Sequence, residues 1–146
     1  MQSFQRILAL DVGLKRTGLA QSDPMQTIAS PIGAFGPDEI FVQIGKIAQT
    51  SKIATIVVGW PVTLKGVKTE SVKMVEAFLK KLEKKFPDIP VEVLDERFTS
   101  TMAQQTIRDS GIGKKKRRNK GLVDAVAAAI LLQNYLDKNA TSKFGL

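Results

Sequence analysis

Short runs of apolar, often β-branched residues alternate along the chain with longer stretches in which apolar residues recur at helical spacing. The short runs predict strands over 6–10, 17–21, 26–32, 53–58 and 91–94. Apolar positions three and four residues apart predict helices over 37–48, 69–86, 100–109 and 121–137. Short loops join the first three strands and indicate an antiparallel meander, whereas the later strands are separated by helices and should pair in parallel.

The predicted fold class is therefore α/β, with one mixed five-stranded sheet and helices on both of its faces. At 146 residues, without an internal repeat or a low-complexity linker, the chain has the length of one domain. We place that domain at residues 1–138 and expect the tail, 139–146, to fray. The longest apolar run, residues 125–132, is far shorter than a membrane span. No signal-like segment opens the chain, so we expect a cytoplasmic protein without a membrane partner.

The composition removes several kinds of chemistry. The sequence contains no histidine and no cysteine. Imidazole bases, thiolate nucleophiles, disulfides and zinc sites built from these side chains are excluded. Any reaction must therefore rely on carboxylates, lysines and hydroxyls.

The net charge of +8 comes mostly from one segment, KKKRRNK at residues 114–120. Its six cations are Lys114, Lys115, Lys116, Arg117, Arg118 and Lys120. Without them, 16 basic residues face 14 acidic ones, so the rest of the domain is nearly balanced. A balanced domain with one cationic loop indicates a polyanionic partner. The alternative is a solvated lysine-rich turn that only keeps the protein soluble.

Four carboxylates are placed where they could meet. Asp11 follows the first strand, and Asp95 and Glu96 follow the last one. The carboxyl ends of neighbouring parallel strands share one edge of a sheet, where ligands collect. Asp124 lies on the apolar face of the final helix, whose alanines allow a close approach to the sheet. Taken singly, an aspartate at a strand end often only begins a turn. Asp124 in a first helical turn also gains roughly half a kcal/mol from the helix dipole.

Converging carboxylates in a chain without histidine suit a hard divalent cation, Mg²⁺ or Mn²⁺. Two such ions, roughly 4 Å apart, can activate a water and stabilise the leaving oxygen of a phosphodiester. The basic segment directly precedes the helix that carries Asp124. It would therefore hold a nucleic acid whose phosphate enters the metal site.

Four motifs in order carry a family resemblance: ILALDVGLKRTGLAQSD, IVVGWP followed by Gly66, VLDERFTS, and KKKRRNKGLVDAVAAAILLQNYL. Across residues 6–137 the sequence resembles the YqgF/RuvX family, which is similar to Holliday-junction resolvases. The resemblance implies an RNase H-like fold and metal-dependent phosphodiester hydrolysis in the bacterial cytoplasm. It further implies maturation of the 5′ end of pre-16S ribosomal RNA.

Carried over by position, the catalytic and metal-binding acids of the family would be Asp11, Glu96 and Asp124. Asp95 is the alternative to Glu96, because adjacent strand residues point to opposite faces and only one should face the metals. Resolvase relatives have their second acid after the strand that corresponds to 53–58, where this chain has Gly59-Trp60-Pro61.

In addition to the basic segment, we expect nucleic acid to contact Lys15, Arg16 and Arg97. Pre-ribosomal RNA is the expected partner, and the alternatives are a DNA junction or RNA bound without catalysis. Since phosphate contacts position a nucleic acid without identifying it, the sequence does not choose between these partners. We expect a monomer or a weak homodimer.

Overall fold

The computed structural model describes residues 5–61, 69–95 and 120–143. The strands in these ranges are β1 Arg6–Val12, β2 Thr17–Ser22, β3 Ala29–Phe35, β4 Ile53–Trp60 and β5 Val91–Asp95. The helices are α1 Glu39–Thr50, α2 Glu70–Lys85 and α3 Lys120–Lys143. The helix predicted over 100–109 lies outside the described residues.

The strands form one five-stranded sheet in the order β3-β2-β1-β4-β5. The β1–β2 and β2–β3 pairs are antiparallel, and the β1–β4 and β4–β5 pairs are parallel. This topology confirms the predicted meander and the parallel core. It also brings the carboxyl ends of β1, β4 and β5 to one edge of the sheet.

The side chains of β1 alternate between the two faces of the sheet, and the core therefore has two layers. Leu8 and Leu10 pack with α1 and α2 on one face of the sheet. Ile7 and Ala9 pack with α3 on the other face. Both layers are fully apolar at their centres, which is why the β1 and β4 sequences are almost continuously hydrophobic. The prediction of helices on both faces is confirmed.

The helix ends follow local sequence signals. The Thr69 hydroxyl accepts a hydrogen bond from the Val72 N–H at 3.3 Å and caps α2. The helix ends at Lys85, just before Pro87. Helix α3 continues to Lys143, past its predicted end and into the segment expected to fray, because the sequence after 137 contains no proline or glycine before Gly145. In the parts of the chain that the structure describes, no helix has the length and apolar character of a membrane span.

Strand β3 begins later than the predicted strand at 26–32. The Asp23 carboxylate accepts hydrogen bonds from the N–H groups of Thr27 and Ile28, at 2.7 and 2.8 Å. Gln26 inside this turn has a φ of 58°, which no strand residue adopts. The chain is therefore held in a turn until Ala29, and the prediction was wrong at this strand start.

Candidate active site

Asp11 lies near the carboxyl end of β1 and faces α3. In the β1–β2 pair it is directly opposite Gly18. Directly opposed residues of an antiparallel pair point to the same face of the sheet. Ile7 and Ala9, at alternate positions of the same strand, pack against α3. The Asp11 side chain is half-buried on this face.

Asp124 reaches the same place from the first turns of α3. A Cβ atom built on Gly18 would lie 2.0 Å from the backbone carbonyl oxygen of Asp124. The helix backbone thus rests directly on the strand, at the residue that is paired with Asp11. The predicted close approach of α3 is confirmed, and it brings the two aspartates to one side of one sheet edge.

Arg16 supplies a cation at this edge. Its Nε lies 3.7 Å from Oδ2 of Asp124, and the two side chains are 39% and 33% exposed. The Nε atom is shielded from solvent and has no hydrogen-bond partner among the described residues. A half-buried carboxylate on the sheet-facing side of a helix requires such compensation, because burial of an unpaired charge is costly. The pairing with Arg16 is one interaction that compensates the charge of Asp124 on the apolar face.

The β1–β2 hairpin forms the rim of the site. The Gly13 N–H donates a hydrogen bond to the Arg16 carbonyl at 2.9 Å. A Cβ at Gly13 would lie only 2.6 Å from that oxygen, so the turn requires glycine. Leu14 and Lys15 lie at the tip, and Leu14 is 84% exposed. The predicted contact residue Lys15 is exposed at this tip.

Asp95 lies on the opposite face of the sheet from Asp11. In the parallel β4–β5 pair it is in register with Trp60, which packs in the layer of α1 and α2. Glu92 lies three residues before Asp95 on β5 and therefore points to the other face, where it accepts a hydrogen bond from the Tyr135 hydroxyl of α3. Side chains of β5 thus alternate between the two layers, and Asp95 does not face α3. Trp60 is partly buried and packs against the core of that layer.

Several predicted residues lie outside the described part of the chain. They are Glu96, Arg97, Lys114, Lys115, Lys116, Arg117 and Arg118. Lys120 begins α3, but its side chain is not among those described. Because Glu96 is among the residues outside the described part, only two of the three predicted metal-binding acids, Asp11 and Asp124, are described. Within 5–61, 69–95 and 120–143 no three acidic side chains form a group that could hold a metal ion. Asp11 and Asp124 provide carboxylate oxygens, the donors that Mg²⁺ and Mn²⁺ prefer, so they fit such an ion in kind.

Gly18 is the residue of this site that the sequence reading missed. A glycine inside a strand often marks a close approach of another backbone, and this signal was present in the run TGLAQS.

Solved structures share this architecture. RuvC of Thermus thermophilus bound to a Holliday-junction substrate aligns with a TM-score of 0.56 and 15% identity, over 93% of this chain and 96% of that one. A second structure of the same RuvC aligns with a TM-score of 0.50 and 12% identity, over 97% of both chains. Identities this low establish the fold alone. The mixed sheet with helices on both faces is an RNase H-like fold of the RuvC type.

The family is given by sequence. The sequence profile described as RuvX, Holliday junction resolvase, matches residues 5–138. A protein of Chlorobium phaeobacteroides is 41% identical over 95% of this chain and 96% of its own length. One of Bacteroides thetaiotaomicron is 42% identical over 92% of this chain and 97% of its own. Both carry the provisional name pre-16S rRNA nuclease. The chain belongs to the RuvX family, and the resemblance noted in the sequence is confirmed.

Proposed function

We propose that this protein is a metal-dependent nuclease that acts at the 5′ end of pre-16S ribosomal RNA. The observation that carries the proposal is the contact of α3 with Gly18 of β2, which sets the Asp124 backbone against the residue that is paired with Asp11. Carboxylates at the carboxyl ends of the strands of a parallel core suit phosphodiester hydrolysis. The names of the two relatives reported above indicate pre-16S ribosomal RNA as the substrate.

Asp11 and Asp124 would hold divalent ions, Mg²⁺ or Mn²⁺, together with Glu96. When bound, a pair of such ions supplies an activated water and stabilises the leaving oxygen of the phosphodiester. Glu96 is favoured over Asp95 as the third acid, because Asp95 faces the layer of α1 and α2. In an extended chain the next residue returns to the α3 face, which is the face of Asp11.

The cations of the chain would bind and orient the polyanion. Arg16, beside Asp124, partly offsets the negative charge of the acids, and Lys15 extends into solvent from the same hairpin. Arg97 and the segment 114–120 add positive charge on the chain that leads from β5 to α3. Contacts of this kind give affinity that falls with salt and does not depend on base sequence.

The decisive experiment is cleavage of a 5′-extended 16S precursor RNA by the purified protein in Mg²⁺, in Mn²⁺ and in EDTA. Asp11→Asn should abolish cleavage in both metals. Asp38→Asn is the matched control, because Asp38 is exposed at the start of α1 and its side chain caps no N–H group. Tight RNA binding that persists in EDTA, with no cleavage under any condition, would replace the nuclease with a non-catalytic RNA-binding factor.

A DNA-junction resolvase is the second candidate function, favoured by the description of the family and by the fold shared with RuvC. A four-way DNA junction is therefore tested beside the RNA under the same conditions. Cutting of the junction, with the precursor RNA left intact, would reverse the order of the two candidates.

The basic segment has a separate test. Alanine at Lys115, Lys116, Arg117 and Arg118 should reduce the log–log salt slope of RNA binding by up to about three units, since each phosphate contact contributes roughly 0.7 with single strands. An unchanged slope would show that the segment does not contact the backbone.

A further inference from the structure

A cleft of about 160 Å³ opens on the opposite face of the sheet from α3. It lies between the β1–β2 hairpin, the start of α1 and one face of α2. Leu14, Phe41, Met74 and Ala77 make its surface mainly apolar, and Arg16 and Lys81 add two cations. No acidic side chain lines it in the part of the chain that the structure describes.

The cleft and the carboxylates lie on the two sides of one strand end. Val12 lines the cleft, while the preceding residue, Asp11, faces α3. Successive Cα atoms are only about 3.8 Å apart, so the two sites share one edge of the sheet. Arg16 borders both, because it lines the cleft and its Nε lies 3.7 Å from Oδ2 of Asp124. A strand with a phosphate at the aspartates would therefore carry its adjoining nucleosides past the mouth of the cleft.

The dimensions and chemistry of the cleft select the ligand. Most ligand pockets have volumes of roughly 300 Å³ or more, so this one suits a small planar group of about the size of one nucleobase. Its cations disfavour a cationic ligand, and its apolar walls disfavour a phosphate inside it. Phe41 stacks on Phe78 with ring centroids 5.2 Å apart, so the wall is already packed before any ligand binds. A flat ring joined to an anionic backbone meets both requirements.

We propose that this cleft receives an unpaired nucleobase of the strand whose phosphate lies at Asp11 and Asp124. The inference rests on the proposed function and adds a substrate requirement, namely an unpaired nucleotide next to the cleaved bond. Leu14 at the mouth, 84% exposed in the free protein, would be covered by the bound base. A base inside a duplex remains stacked and paired, so it cannot enter.

The test measures binding in Ca²⁺, which gives the carboxylates a divalent ion, under conditions in which no strand is cleaved. Fluorescence anisotropy gives the affinity for a single-stranded RNA, for the same strand with abasic nucleotides, and for a duplex of equal length. The parent protein should bind the intact strand about tenfold more tightly than the abasic one, since an enclosed base contributes roughly 1–3 kcal/mol. A DNA strand of the same sequence shows whether the sugar matters.

Ala77→Trp fills the cleft from an exposed position on α2 and should remove the preference for the intact strand. Ser71→Trp is the matched control, because Ser71 is exposed on the same helix and does not line the cleft. A second pair of variants tests the charge of the cleft. Lys81→Gln removes a cation that lines it, and the control Lys80→Gln removes one that does not. Should Ala77→Trp fail to fold, Leu14→Gln at the exposed tip should reduce the preference instead. Duplex affinity should change in none of the tryptophan variants.

Equal affinity of the parent for intact and abasic strands would overturn the cleft proposal, even where metal-dependent cleavage is observed. Equal effects of Ala77→Trp and Ser71→Trp would overturn it as well, and would leave an apolar side chain of a protein partner as the occupant to test. Failure to bind any strand would overturn the proposed function itself.

Discussion

The contact between α3 and β2 makes Gly18→Ala the most informative single substitution. The added Cβ would lie 2.0 Å from the carbonyl oxygen of Asp124, 2.5 Å from its carbonyl carbon and 3.2 Å from the N of Ala125. All three are backbone atoms, so no side-chain rotation can relieve the overlap. The helix must move away by about 1.4 Å to reach 3.4 Å, where ordinary contact begins.

Two consequences of that movement can be measured. Overpacking of this kind costs about 1–3 kcal/mol, so urea unfolding should show a loss of about 2 kcal/mol. The movement also carries Asp124 away from Asp11, and a displacement of about 1 Å in a catalytic group can cost roughly 10²-fold in rate. Cleavage of precursor RNA should therefore fall about 100-fold, under conditions where the variant is still folded.

Gly45→Ala is the matched control. A Cβ at Gly45 meets no atom within 4 Å, and the residue lies inside α1. Alanine there should stabilise the protein by about 0.8–1 kcal/mol and leave cleavage unchanged. The reasoning would be refuted if Gly18→Ala were as stable as the parent. It would also be refuted if Gly18→Ala lost stability but cleaved RNA at the parental rate, because Asp124 would then not depend on this contact.

Three further changes test other parts of the chain. Partial burial raises the pKa of Asp23, but hydrogen bonds from Ile28 and Thr27 outweigh this effect and lower it from 3.8 to about 2. By urea unfolding, Asp23→Asn should thus be about 1 kcal/mol less stable than the parent above pH 4, and the difference should disappear as the pH falls through and below 2. An NMR midpoint near 4 for Asp23 would contradict this. Ser22→Ala should cost about 2 kcal/mol in the same assay, because the buried Ile7 N–H loses its acceptor at 2.9 Å; a loss below 0.5 kcal/mol would contradict it. Asp124→Asn should abolish cleavage with an unchanged circular dichroism spectrum, whereas an unfolded variant would make Asp124 a structural residue.

The arrangement of layers was predictable because it depends on local periodicity. The continuous apolar run in 53–58 indicates a strand covered on both faces, and the three-and-four spacing in 69–86 indicates a helix covered on one. Parallel pairing of β1, β4 and β5 then follows from the intervening helices. The start of β3 was not predictable in this way. The side chain of Asp23 competes for the backbone of 27 and 28, and hydrophobic pattern does not include such hydrogen bonds.

From the sequence, the position of the site could be predicted only to the end of the sheet at which the parallel strands finish. Strand ends place Asp11 and Asp95 at one edge, but the face on which each lies depends on the register between strands. The β4–β5 register sets Asp95 beside Trp60, away from Asp11. The contact at Gly18 and the cleft lined by Ala77 join segments far apart in sequence. The alanines of α3 predict a close approach to the sheet, but no local pattern encodes which strand residue the helix meets or where the cleft lies.

Residues without reactive groups therefore determine which face of the sheet each functional group occupies. A shift of one residue in the β1–β2 register would turn Asp11 toward α1 and α2, and would bring Val12 to the α3 face. The register is fixed at one end by Gly13, whose turn closes only without a Cβ, and at the other by Ser22, whose hydroxyl accepts the Ile7 N–H. Because both ends are fixed, the carboxylate and the cleft can lie on opposite faces of one strand end and still border one arginine.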